Sequence, residues 1–195
     1  MPGLATVQDA VEAASKKDEI DVAAGSYADV VLPERARLVI RGAGADVTII
    51  PRFVPGENVR LTLEDLAVAG STEAGVRMAR SASLEVYESV IRDNDRDGIA
   101  AGEKSRGTVV RSTLRDNERD GIKNGKKVRV IDSTFAGNAR GVFDPSRLII
   151  ENSTLTGNGD GVDVCFRCRV DILGSTIADN ATDCEQEGGK LISLG

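Results

Sequence analysis

Histidine and tryptophan are absent from this 195-residue chain, and aromatic residues make up only 3% of it. So few rings leave little for sugar recognition by stacking, which needs aromatic platforms. Cysteine is scarce too: Cys165, Cys168 and Cys184 are the only three, all near the end of the sequence. Without histidine, a zinc site on these thiols needs a carboxylate as its fourth ligand. A disulfide between Cys184 and an earlier cysteine, or free thiols, are the other readings. A disulfide would favour an extracytoplasmic home: secreted, periplasmic or cell-surface. No apolar run is long enough to cross a bilayer as a helix. Twenty-five basic against 31 acidic residues leave a net charge of −6, which is not the footprint of a nucleic-acid-binding protein. No secretory leader is read in the opening residues, as expected of a cytosolic protein or a mature chain.

What the chain has is a repeat. SVIRDN, STLRDN, STFAGN, STLTGN and STIADN begin at Ser89, Ser112, Ser133, Ser153 and Ser175, in steps of 23, 21, 20 and 22 residues. Their asparagines, Asn94, Asn117, Asn138, Asn158 and Asn180, keep the same steps. A period of this length marks a solenoid, whose units bury their apolar faces only by stacking on one another. Apolar residues alternate before each serine (Leu84 and Val86, Val128 and Val130, Leu148 and Ile150, Val170 and Ile172). Others follow two places after it (Ile91, Leu114, Phe135, Leu155, Ile177) and again after a glycine (Ile99, Ile122, Val142, Val162). Period-two spacing rich in β-branched residues means strands with one buried face. Three short strands per repeat suit one rung of a parallel β-helix, with rungs stacked ~4.8 Å apart.

In that geometry the asparagines form an inward ladder that bonds the backbone groups freed at a bend. Gly98, Gly121, Gly141 and Gly161 are expected to supply an unusual backbone angle there. Residues 6–17 (TVQDAVEAASKK) read as a capping helix, with Thr6 as N-cap and an apolar stripe of Val7, Ala10, Val11 and Ala14. Rungs then fill 19–190, less regularly at first, where Asp65 and Gly75 match the serine and glycine columns. The expectation is one all-β domain over 1–195: a single right-handed parallel β-helix of roughly seven or eight rungs with a short N-terminal helical cap.

TVQDAVEAA, IDVAAGSYADVV and LVIRGAGADVTII resemble the opening of pectin-lyase-like right-handed β-helix proteins, and STLRDNERDGI resembles the repeat of that superfamily. The resemblance covers nearly the whole chain and implies the coil rather than one chemistry, because the superfamily holds lyases, hydrolases, esterases, epimerases and non-catalytic surface proteins. Within it, RDGI (96–99 and 119–122) and GDGV (159–162) are similar to the polygalacturonase context of a catalytic aspartate before Gly-Ile. The Gly-His-Gly and Arg-Ile-Lys motifs of those enzymes are missing. The epimerase motif Asp-Pro-His-Glu is also missing, since Asp144-Pro145 continues with Ser146-Arg147.

The residues before the column glycine, Asp97, Asp120, Arg140 and Asp160, would form one outward line at rung spacing, with Asp183 next before Cys184. Carboxylates one or two rungs apart bracket the separations used by glycosidases. In a lyase reading, Arg140 is the base beside a Ca²⁺ held by Asp120 and Asp160; in the plainer one it neutralises them. The turns 92–98 and 115–121 crowd Asp93, Asp95, Asp97, Asp116, Glu118 and Asp120, a candidate Ca²⁺ site unless Arg92, Arg96, Arg115 and Arg119 take up the charge. Basic residues from Lys104 to Arg129 crowd the middle rungs and could attract an acidic polysaccharide. The function expected is therefore an extracytoplasmic polysaccharide-associated β-helix protein, as a lyase or glycoside hydrolase if an enzyme. The alternatives are a non-catalytic structural or surface-interaction solenoid and a trimmed or engineered scaffold.

Overall fold

The computed structural model describes residues 6–164, 168–186 and 190–194. Among them 25 strands form three parallel sheets of nine, eight and eight strands, and neighbours in each sheet come from successive rungs. The first sheet begins with Glu19–Asp21, the second with Gly25–Ser26 and the third with Val30–Leu32. The expected coil is therefore the observed one.

Inside it, equivalent apolar side chains stack in files. Leu38, Leu61 and Leu84 follow one another in the first sheet, Ile91, Leu114, Phe135 and Leu155 in the second, and Ile99, Ile122, Val142 and Val162 in the third. All are buried, and each is worth about 1.5–3 kcal/mol relative to exposure. One file has a gap: Gly107 follows Leu84 and precedes Val128, and a Cβ built there meets nothing within 4 Å. Gly107→Ala is expected to raise stability by about 1–2 kcal/mol, from a stiffer unfolded chain and one more buried carbon. Urea unfolding checks this, and a destabilised variant would mean the gap is needed.

Two polar ladders brace the corners. Each asparagine Nδ2 donates to the next Oδ1, from Asn94 to Asn117 at 2.8 Å, then on to Asn138, Asn158 and Asn180 at 2.9–3.0 Å. Asn180 then donates its backbone N–H and its Nδ2 to Asp183 Oδ1, 3.3 and 3.0 Å away. At the corner between the first two sheets the serines do similar work. Ser112 Oγ donates to Val110 O and accepts from Ser89 N, and Ser133 and Ser153 repeat the pattern.

The structure corrects four expectations. The helix is shorter, Val7–Ala13, because Ser15 N bonds Asp18 Oδ2 (2.7 Å) and turns the chain out early. Thr6 is its N-cap, and Gln8 pairs through both amide atoms with Val31, covering the open edge of the third sheet. The column glycines are not left-handed; the positive angles fall on residues such as Asp93 and Asp116, just before the asparagines. Glycine is needed instead for room, since a Cβ on Gly121 would lie 2.6 Å from Gly141 O and 2.8 Å from the Phe135 ring. Asp65 precedes the serine column, which Leu66 occupies. Finally, Cys184 pairs with Val162 rather than Gly161, so Thr182 aligns with Asp160. Cys184 is a free thiol and Cys168 is disulfide-bonded, so the closure through Cys184 is not made; Cys165 lies outside the described residues.

Candidate functional site

The Asp/Arg line assembles, but it is not an outward line. Asp120 aligns with Arg140 and Arg140 with Asp160, each opening a strand of the third sheet. Asp97 and Asp120 are buried, at 5% and 0% exposure. Asp120 is covered by Arg140, whose guanidinium folds back over it as a fork (Nε to Oδ1 2.6 Å, Nη2 to Oδ2 3.2 Å). Nη1 reaches Asp163 Oδ2 at 3.4 Å, and Cζ lies 3.5 Å from the Phe143 ring centre. Arg140 thus neutralises Asp120 and Asp163 rather than Asp120 and Asp160. Asp97 Oδ1 accepts the backbone N–H of Asp120 at 3.4 Å. Burial pushes the Asp120 carboxyl above the usual carboxylate value, with the Arg140 bonds pulling the other way; Asp163 is raised for the same leading reason.

The six carboxylates of the two turns do not converge. Asp93 pairs with Arg92 and Asp116 with Arg115, while Arg96 reaches back to Glu73 at 3.2 Å. Asp95 and Glu118 point to solvent. Among the described residues no three cysteine or carboxylate side chains are grouped as a cation would require, so these residues do not fit Ca²⁺.

A different feature emerges at the corner between the third and first sheets. Arg37, Arg60, Ser83 and Arg106 open successive strands of the first sheet in register, and Lys127 follows Arg106. Arg35, Asn58, Ser81 and Lys104 sit two residues before the first four, each in the left-handed conformation that turns the chain at this corner. With Lys16 and Lys126 they line a groove of about 780 Å³ in which Glu85 is the single acidic residue. Further along the column Arg147 and Arg169 both engage Asp171. Arg37, Arg60, Arg106 and Lys127 pair with no carboxylate among the described residues, so their charge faces solvent.

The sequence reading missed this column because it drew on charge density alone. The signal was there: Arg37, Arg60, Ser83 and Arg106 are each 23 residues apart, and the column starts two rungs before the serine motif becomes visible at Ser89.

The family model described as "Right handed beta helix region" matches residues 53–177. In fold the chain is similar to the A-module of a mannuronan C-5 epimerase from Azotobacter vinelandii, with a TM-score of 0.51 and 18% identity, over 93% of this chain and 73% of that one. No curated protein matches significantly in sequence.

Proposed function

Because this chain belongs to the right-handed β-helix family, we propose that it is a polysaccharide-associated β-helix protein whose corner groove binds an acidic polysaccharide along the solenoid axis. One observation carries the reading: a column of arginines and lysines at rung spacing, ~4.8 Å, without carboxylate partners. Unpaired cations in a row suit a linear polymer that presents anions along its length, because each contact releases screening ions and adds to the next. Arginine suits carboxylates in particular, through its two-pronged fork. The epimerase module named above, which by its title works on mannuronan, supports a polysaccharide as the partner. The disulfide at Cys168 supports an extracytoplasmic location. Arg140 is not available as a base, because its guanidinium is committed to Asp120 and Asp163.

The test is binding of fluorescent pectate, alginate and hyaluronan at low and moderate salt. Binding is expected to weaken with salt. Arg60→Ala with Arg106→Ala is expected to weaken it about 100-fold, about tenfold for each charge-assisted contact. Melting should hold, as both side chains are exposed. Absence of binding to every acidic polysaccharide, or unchanged affinity in the double variant, would refute the reading.

A further inference from the structure

The basic groove has two files of residues, and its outer file has a composition of its own. Arg35, Asn58, Ser81 and Lys104 run along the turn, each two residues before its partner in the inner file of Arg37, Arg60, Ser83 and Arg106. Lys126 continues the outer side beside Lys127. Taken rung by rung, the cations number two (Arg35, Arg37), one (Arg60), none, two (Lys104, Arg106) and two (Lys126, Lys127). Arg35, Lys104 and Lys126 are exposed, and they pair with no carboxylate among the described residues. Glu85, the groove's single carboxylate, lies two residues beyond Ser83 on the side away from the turn, where Tyr87 Oη donates to its Oε2 at 3.2 Å. No acid therefore stands in the outer file of the groove.

From this doubling we infer that the groove takes a sulfated acidic polysaccharide, in which some sugars bear sulfate esters as well as carboxylates. The inference rests on the acidic-polysaccharide reading above and names the class of polymer. One sugar in an extended chain advances by about one rung, and a simple polyuronate offers one anion per sugar. On each doubled rung such a polymer engages one cation and leaves the other to water. The two files stand at most about 7 Å apart at each rung, on the scale of one sugar ring, so two anions on the same sugar meet both. The residue types divide accordingly. The inner arginines grip planar carboxylates through their forks, while the outer lysines act as point charges that suit sulfate oxygens. Sulfate esters also vary from sugar to sugar, as the uneven rungs require. Arg60 takes a lone carboxylate, and the next rung meets an uncharged sugar, whose hydroxyls bond Ser81, Ser83 and Glu85. A nucleic-acid strand fits less well, because it brings bases to a groove with no aromatic lining on which to stack them.

The deciding experiment is titration calorimetry with a heparin octasaccharide and an octagalacturonate at about 0.15 M salt, where exposed charges are screened beyond about 8 Å. The parent protein is expected to bind the heparin fragment about 100-fold more tightly, at about fivefold for each of three further exposed contacts. Arg35→Ala with Lys104→Ala and Lys126→Ala should remove most of that preference, while weakening octagalacturonate binding by no more than about threefold. Melting should hold, since all three side chains are exposed. Equal binding of the two fragments by the parent, with octagalacturonate still lost in the Arg60/Arg106 variant, would overturn the sulfate assignment and leave the acidic-polysaccharide reading intact. An equal loss of both fragments in the triple variant would do the same, as the mark of net charge without contact. A single-stranded oligonucleotide of matching charge that binds as tightly as the heparin fragment would overturn both readings, and so would binding of neither fragment.

Discussion

Arg140→Ala is expected to cost about 3–5 kcal/mol at neutral pH, because it strands a fully buried carboxylate without its counter-charge. For a chain of this size that corresponds to a fall of roughly 6–20 °C in melting temperature. The pH dependence separates this cause from simple loss of packing. Burial already raises Asp120 above its ordinary value of 3.8, so the folded protein holds that proton to higher pH than the unfolded chain. The stability linked to this proton is fully present below the ordinary value and is lost as pH rises through the raised one. Removing Arg140 takes away the influence that lowers the carboxyl and pushes it further up. The variant's deficit should therefore be largest at neutral and alkaline pH and shrink on acidification. Adding Asp120→Asn to Arg140→Ala should recover much of the loss, since position 120 then carries no buried charge to leave unpaired. Urea unfolding across pH is the measurement. A pH-independent loss below about 1 kcal/mol would place the pair among ordinary surface ion pairs.

Asn138→Ala is expected to be comparably severe, about 3–5 kcal/mol by the tally of buried polar groups it leaves unpaired. The Asn138 side chain accepts from Asn117 N and Nδ2, and donates to Asn158 Oδ1, Leu114 O and Ala136 O. At 2% exposure the site is sealed from bulk water. Asn180→Ala offers the contrast. Asn180 makes the same kinds of bond but is half-buried near the end of the ladder, where water can substitute, so its loss should be at most half as large. Equal losses at the two positions would contradict the burial argument, and chemical denaturation of both variants decides it.

Much of the fold was legible because each rung repeats the same local demands. A serine that bonds the carbonyl two residues back, an asparagine that bonds the next rung and a glycine beside a neighbour's carbonyl leave the same marks every 20–23 residues. The glycines show the limit of that reading. Their spacing was plain, but whether they serve an angle or a close approach depends on where the next rung's carbonyl falls. Asp120 failed for a related reason. A column position before a glycine reads as outward, and nothing in the spacing says that Arg140 will fold over it. The Arg37–Arg60–Ser83–Arg106 column was legible in principle, through its 23-residue steps, yet its residues carry no motif. Only the register turns separate charges into a surface.

The end of the asparagine ladder shows how a run of donated amides is closed. Each amide in the stack passes on a donor, so an unfinished stack advertises an open N–H that another coil could satisfy. At Asn180 the partner comes from within the same turn, and it is a carboxylate, Asp183, which takes two N–H groups and offers none. The relay has a direction, and it stops at a residue unable to pass it on. Asp183 thus serves as a chemical full stop to the relay of amides.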